Sequence, residues 1–290
     1  MSSQSQLVWL ITGTSSGLGR ELALAALKRG DKVIATARER SMSKLDDLRT
    51  QGANALELDV TAPLNGLREV AAKAIELYGR VGVLVNNAGY IQTGTLEECT
   101  PEESIEQFNA NVFGPLNVSR AFLPYMRERQ AGTIIFVGSI GSWKPFPTSG
   151  IYTSTKLAIR GLSETLNAEI SPFGLRSICF EFGFFRTNFM APDHRTPYQP
   201  RITDYNPMTE EMNKIFLAVD RNQPGDPVKG VELVIDVIKN EGIAKGKTFP
   251  TVLALGSDTY DLAKGTSELT LKRLEEWKDL TQSTDFPKTT

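Results

Sequence analysis

The chain has 290 residues, 40% of them hydrophobic and 23% charged, which is enough for a sizeable core and typical of a soluble globular protein. A formal net charge of -2 leaves no electrostatic footprint for nucleic acid or an anionic membrane surface. No apolar run approaches the roughly 20 residues that span a bilayer, Met1 to Gln6 lacks the pattern of a secretory signal, and Cys99, Cys179 and His194 are too few for a disulfide framework or a metal cluster. The expectation is a cytoplasmic protein with reduced thiols, no metal, no membrane span and no nucleic-acid partner.

The first strand-like run, Leu7 to Ile11, leads straight into Thr12-Gly-Thr-Ser-Ser-Gly-Leu-Gly19 and then a helical pattern from Leu18 to Lys28. Glycines at 13, 17 and 19 depart from the G-x-G-x-x-G spacing, but the physics is the same. A tight turn, a close backbone approach and tight helix packing put a pyrophosphate on a helix N-terminus, with Gly13, Ser15, Ser16, Gly17 and Gly19 as candidate contacts. The G-x-x-x-x-G-K-[ST] of a P-loop is absent. The second strand, Val33 to Ala35, is followed by Ala37 and Arg38. An NAD site places a carboxylate there to accept from the ribose 2′-hydroxyl. A missing acid beside a guanidinium suits a 2′-phosphate instead, so NADP(H) is the expected cofactor.

Further apolar runs follow at Ala55 to Leu58, Val83 to Val85, Ile134 to Val137, Ile178 to Phe180 and Val252 to Leu255. Between them lie helical patterns such as Pro63 to Tyr78, Glu102 to Met126 and Gly150 to Ile170. The runs are continuous, not alternating, as strands buried on both faces of a parallel sheet are. This predicts an α/β chain: a Rossmann-type doubly wound parallel sheet of about seven strands. No repeat, linker or composition shift divides residues 1–290, so a single domain is expected. Phe182 to about Thr209 breaks the rhythm with Pro192, Pro197, Pro200 and Pro207, which marks a substrate loop at about 183–209.

The chemistry is concentrated in Ser139, at the end of a strand, and in Tyr152 and Lys156, four apart on one helix face. A phenol of pKa about 10 is a poor base near neutrality; moving it about 3 pH units needs roughly 4 kcal/mol, which one ammonium at about 4 Å supplies at an effective dielectric near 20. Lys156 is expected to lower Tyr152 in this way, while the Ser139 hydroxyl holds a substrate oxygen. Tyr260 and Lys264 repeat the spacing, but Lys247 stands where the serine should be. Val137-Gly-Ser-Ile-Gly141 is not a nucleophile elbow, because Val137 replaces its first glycine and the sole histidine, His194, sits in the irregular segment. Asn117-Val-Ser119 fits a glycosylation acceptor but reads as coincidence.

Thr12-Gly-Thr-Ser-Ser-Gly-Leu-Gly19, Asp59, Asn86-Asn-Ala-Gly89, Asn111, Ser139 and Tyr152-x-x-x-Lys156 occur in the order of the short-chain dehydrogenase/reductase family. The chain resembles that family from residue 7 to about 260. Asn111, Gly141, Ser142 and the ending Gly256, Ser257 and Asp258 resemble its hydroxysteroid and retinol dehydrogenase-like branch. The resemblance implies that Leu18 offers backbone to the pyrophosphate, that Asp59 meets the adenine with Val60 beside it, and that Asn87, Ala88 and Gly89 line the ribose. It places Thr187, with Gly183 nearby, at the nicotinamide carboxamide. It also makes Asn111 part of a water-mediated proton path to Lys156, gives Lys156 a hold on the nicotinamide ribose, and pairs the two long helices between subunits of a homodimer or homotetramer.

Phe182 stands where the family commonly has proline, which restores an N–H and backbone freedom near the nicotinamide and is compatible with a reshaped pocket or an introduced substitution. Candidate substrate-facing residues are Ile91, Trp143, Pro145, Phe146, Phe184, Phe185, Phe189, Met190 and Tyr198, an apolar lining that suits a hydrophobic alcohol or ketone with a ring system. The leading expectation is interconversion of a secondary alcohol and a ketone with Tyr152 as acid and base. Imine or enone reduction, and a non-redox role as cofactor sensor or cyclisation template, remain open alternatives.

Overall fold

The apolar runs pair as one parallel sheet in the structure, a computed structural model that describes residues 6–191 and 195–286. Among these residues the strands are β1 (Val8–Ile11), β2 (Lys32–Ala37), β3 (Asn54–Glu57), β4 (Val83–Asn86), β5 (Gly132–Ser139), β6 (Leu175–Phe182) and β7 (Val252–Leu255). Their order, β3-β2-β1-β4-β5-β6-β7, reverses direction between β1 and β4, and a crevice opens there at the carboxyl ends of the strands. β5 runs longer than its apolar core because the ladder continues through Gly132, Thr133, Gly138 and Ser139, none of which carries an apolar signal, and β6 extends with it from Leu175 to Phe182.

The helices are α1 (Gly17–Lys28), α2 (Asp46–Thr50), α3 (Leu64–Tyr78), α4 (Pro101–Phe108), α5 (Gly114–Glu128), α6 (Gly150–Ile170), α7 (Asn206–Val219), α8 (Pro227–Lys239), α9 (Ser257–Glu276) and α10 (Lys278–Gln282). One face of the sheet buries Leu22, Ala23 and Ala26 of α1, Leu48 of α2 and Val231, Val234 and Ile235 of α8. The other buries Leu67, Ala71 and Ala74 of α3, Val118 and Phe122 of α5 and Ile159 and Leu166 of α6. Both faces are covered, which is why the strand runs are continuously apolar. The sheet is doubly wound as expected. A buried Asp31, which accepts from the Trp9 indole and pairs with Lys239 at 3.0 Å, ties the start of the sheet to α8.

Two sequence expectations change. The single helix expected from Glu102 to Met126 is divided by a π-turn over Asn109–Phe113, where Gly114 N–H reaches back to the Asn109 carbonyl. Pro115 has no N–H to continue the regular ladder, and π-turns of this kind occur mostly at functional sites. The irregular segment ends earlier than expected, because α7 begins at Asn206, and short 3₁₀ turns occupy Asn188–Met190 and Thr203–Tyr205. Pro192 and His194 lie outside the described residues.

Candidate active site

A cavity of about 1240 Å³ opens along the carboxyl edge of the sheet, lined at one end by the glycine turn and at the other by aromatic residues. The turn fits a pyrophosphate. Gly13 has φ of +71°, and a Cβ there would sit 3.0 Å from Ala88 Cα. The first turn of α1 has no side-chain cap on its N–H groups, which leaves these donors for an anion. Gly13, Ser15, Ser16, Gly17 and Leu18 line the cavity, whereas Gly19 packs the start of α1 against Asn87 and the Gly13 carbonyl.

Thr12 joins the two strands beneath this turn. Its hydroxyl donates to Val85 O and accepts from the backbone N–H groups of Asn87 and Ala88, while Asn87 Nδ2 returns a bond to Thr12 O at 2.9 Å. This pins Asn87, Ala88 and Gly89 along the cavity wall. Thr12 is a structural residue of the site, signalled in sequence only by its position just after β1. Asp59 and Val60 line the same wall, and Asp59 accepts from Thr61 N and Oγ1. Exposed Arg38 stands at the mouth beyond β2, and Arg40, Ser41 and Lys44 accompany it, three cavity residues that the sequence reading missed. Thr187 approaches the glycine turn, its Cβ 3.8 Å from where a Gly17 Cβ would stand.

At the other end, β5 delivers Ser139 and α6 delivers Tyr152 and Lys156, all three buried. Ser139 Oγ accepts from Gly141 N at 3.1 Å. Burial pushes the Tyr152 phenol up to about 12, and Ser139 as its hydrogen-bond partner opposes that rise. Burial pulls Lys156 down to about 8; its ammonium donates to Val137 O at 2.7 Å and lies 5.5 Å from the Tyr152 ring centroid. The expected lowering of the phenol is therefore not what the geometry gives. The ammonium is spent on a carbonyl and is itself desolvated, so burial outweighs its attraction for a phenolate.

Asn111 occupies the π-turn, buried, where Oδ1 accepts from Tyr90 N and Nδ2 donates to Tyr90 O and to the hydroxyl of Thr155, the neighbour of Lys156. Its side chain thus connects the loop after β4 with α6. The second tyrosine-lysine pair, Tyr260 and Lys264, lies exposed on α9. Ser119 of the glycosylation-like triplet is fully buried in α5 and bonded to Pro115 O and Asn86.

Above Tyr152 the cavity is apolar. Ile91, Tyr152, Met190 and Phe216 form one cluster with Phe184, Phe189 and Met212 packed on it. Phe189 meets the Tyr152 ring at 6.0 Å, and Phe146 meets Phe184 edge to face at the same separation. Phe216 comes from α7 and lies beyond the segment singled out in sequence. Phe185 reaches the cavity wall, but its ring packs on Gly225, Gly230 and Gly256 and against Phe182 at 5.1 Å. Phe182 is the last rung of β6, paired with Ser139 and Leu255, and belongs to the core. Gly183 beside it leaves no room for a Cβ against the Asp258 carboxylate, which accepts from Phe184 N at 2.7 Å.

Three aromatic or proline expectations are corrected. Trp143 turns away from the cavity and donates its indole N–H to Glu181, Tyr198 donates its hydroxyl to Glu98, and Pro145 is not part of the lining. Burial alone would raise Glu98, yet bonds from Arg201 N, Ile202 N, Thr95 and Tyr198 outweigh it and carry the carboxyl down to about 2. With Thr93 and Thr196 bonded to each other, Glu98 fastens residues 195–202 over the loop after β4.

The chain matches the short chain dehydrogenase family over residues 7–197. It is 31% identical over 280 residues to the oxidoreductase BOA17 of Botryotinia fuckeliana, covering 94% of this chain and 97% of that protein. A short-chain dehydrogenase from Streptomyces avermitilis superposes with a TM-score of 0.84 at 37% identity, covering 98% of this chain and 100% of the other. An actinorhodin polyketide ketoreductase crystallised with NADPH superposes at 0.71 with 26% identity, covering 88% and 97%. With matches of that extent lying over the glycine turn, the Asn86 to Gly89 wall and the Ser139, Tyr152 and Lys156 cluster, the chain belongs to the short-chain dehydrogenase/reductase family and is a nicotinamide-dependent oxidoreductase.

Proposed function

We propose that the protein interconverts a ketone and a secondary alcohol on a hydrophobic, ring-bearing substrate with NADP(H), using Tyr152 as the proton-transfer group. The observation that carries this reading is the buried Tyr152 phenol, beside Ser139, on the floor of an aromatic chamber continuous with the glycine turn. Bound there, the nicotinamide would exchange hydride with the carbonyl carbon. Ser139 donates to the carbonyl oxygen, and Tyr152 delivers the proton as negative charge develops on that oxygen. Lys156 keeps positive charge near the phenol, Asn111 fixes the loop that faces it, and Phe146, Phe184, Phe189, Met190 and Ile91 exclude water. Residues 183–191 and 195–205 act as the substrate loop. Gly13, Ser15, Ser16, Gly17, Leu18, Asp59, Val60, Asn87, Ala88, Gly89, Gly183 and Thr187 would hold the cofactor. The reading is tested by NADPH consumption against trans-1-decalone, 1-tetralone, a cyclic imine and cyclohexenone. Turnover of the ketones supports it, and turnover of the imine or enone alone redirects it to those substrates.

NADP(H) preference rests on Arg38, which no carboxylate on β2 opposes, with Arg40 and Lys44 adding positive charge at the mouth. Arg38→Ala is expected to weaken NADPH binding by about 10- to 100-fold, the worth of a charge-assisted hydrogen-bond pair, and to leave NADH binding unchanged. Fluorescence titration of both cofactors measures this. NADH bound as tightly as NADPH by the wild type would remove the proposal.

A homodimer or homotetramer is proposed on the support of the α4, α5 and α6 surface, where Ile105, Phe113 and Leu157 are at least half exposed. Leu157→Glu and Phe113→Glu are expected to shift the protein to monomer in light scattering without loss of fold. A wild type already monomeric at micromolar concentration contradicts this. No helix among the described residues is long and apolar enough to cross a membrane. The proposed cytoplasmic setting accords with two free thiols, Cys99 and Cys179.

A further inference from the structure

Trp143 follows Ser139 by four residues and is held on three sides. Its Nε1 donates to Glu181 Oε2 at 2.6 Å, its ring lies 4.4 Å from the Arg160 guanidinium, and its carbonyl accepts from Thr266 Oγ1 of α9 at 3.2 Å. Its own N–H donates to Ile140 O, closing the 3₁₀ turn Ile140–Ser142 that Ser139 begins. Glu181 is fully buried on β6 opposite Gly138, one rung before Ser139. Arg160 lies on α6 four residues after Lys156 and eight after Tyr152, so the three share a helix face; its Nη1 is 3.7 Å from Glu181 Oε1.

A buried carboxylate is a costly way to fill space. Burial pushes Glu181 up against the opposing pull of Arg160, Trp143 and Ser142, and Oε1 lies 3.7 Å from Arg160 Nη1, beyond hydrogen-bond distance. Apolar side chains fill such positions at equal or better stability, so packing does not explain the acid. Its position does. Ser139 Oγ takes its orientation from Gly141 N, Gly141 sits in a turn of three residues, and Trp143 fixes the far end of that turn. β5 and β6 meet tightly at the same level: a Cβ on Gly138 would lie 2.9 Å from Glu181 Cγ. Through the indole, Glu181 thus holds the residue that closes the turn on which the Ser139 hydroxyl depends.

We propose that Glu181, Trp143 and Arg160 form a positioning triad that orients the Ser139 hydroxyl toward the substrate oxygen and Tyr152. The inference rests on the proton-transfer reading above for its catalytic consequence, and on geometry alone for the orientation. With NADPH and 9,10-phenanthrenequinone as the probe, Glu181→Ala and Trp143→Phe are each expected to lower kcat about 30-fold, with KM and the NADPH Kd within threefold of wild type. Glu181→Gln keeps an amide oxygen for the indole and is expected to retain kcat within threefold. The double variant Glu181→Ala, Trp143→Phe is expected to be no worse than either single one, because the two act as a unit. A kcat for Glu181→Ala within twofold of wild type, a parallel fall of kcat and NADPH affinity, or no rescue by Glu181→Gln overturns the proposal. A crystal structure of Glu181→Ala decides the matter without turnover. A broken Ser139 Oγ to Gly141 N bond in an otherwise intact β5 supports the triad; an unmoved Ser139 overturns it. A wild type that binds NADPH but leaves the quinone unreduced tells against the proton-transfer reading alone.

Discussion

Tyr152→Phe is expected to lower NADPH-dependent ketone reduction by about 10²- to 10⁴-fold, the usual worth of a positioned general acid, while NADPH binding changes by no more than a few fold. The phenol stands near 12 because burial disfavours its anion, with Ser139 pulling the other way. Between pH 6 and 10 it therefore remains protonated and ready to donate. Reduction is the direction this poise serves, since an oxygen becoming an alkoxide is a stronger base than a phenolate of that pKa. Lys156 titrates earlier, near 8, because burial disfavours its cation. The alkaline fall in kcat/KM, which reports the free enzyme, is thus expected near pH 8, where the ammonium is lost, well below the titration of the tyrosine. Lys156→Arg, whose guanidinium stays charged, is expected to carry that limb above pH 10. Stopped-time assays of reduction across pH 6 to 10.5 check both statements. Full activity in Tyr152→Phe would remove the phenol from the chemistry, and a wild-type limb near pH 10 would remove the lysine charge from control of the rate.

Local chemistry made much of this site legible in sequence. The glycine turn, the Ala37-Arg38 end of β2 and the Tyr152 to Lys156 spacing each need only neighbouring residues to be understood, and the continuous apolar runs locate strands that are covered on both faces. What escaped depends on partners far along the chain. Trp143 reads as a pocket aromatic until Glu181 and Arg160 are brought to it by β6 and α6. Tyr198 reads the same way until Glu98, a hundred residues earlier, takes its hydroxyl. Phe182 suggested a reshaped pocket. In the fold it extends the ladder opposite Ser139 and sends its ring toward Phe185, and it also lines the cavity. The π-turn was legible only as Pro115 inside a helical pattern, without the side-chain bonds of Asn111 that give it a use. The sign of the electrostatics was the deepest miss, because burial is a property of the assembled fold: spacing put Lys156 beside Tyr152 but said nothing of how little water either group keeps.

The same burial predicts that Lys156→Met makes the protein more stable as it disables it. An unfolded lysine holds its proton up to its ordinary value of 10.5, whereas the folded one releases it near 8. Between those values the unfolded state binds more protons, so stability rises with pH through that window; below it, the folded state bears the full cost of a desolvated cation, about 3 kcal/mol. Methionine has similar reach, needs no solvation and fills irregular apolar space well. It forfeits the 2.7 Å bond to Val137 O, worth about 1 kcal/mol, so a net gain of about 2 kcal/mol is expected at pH 7, shrinking toward zero or reversing by pH 10.5. Urea unfolding of wild type and Lys156→Met at pH 7 and pH 10 measures the difference, and ketone reduction by the variant is expected to fall at least about 10²-fold. A variant less stable than wild type at pH 7 would mean that the ammonium is held by more than one carbonyl and is no burden to the fold. A more stable but inactive variant would identify Lys156 as a buried cation retained for catalysis against its cost in stability.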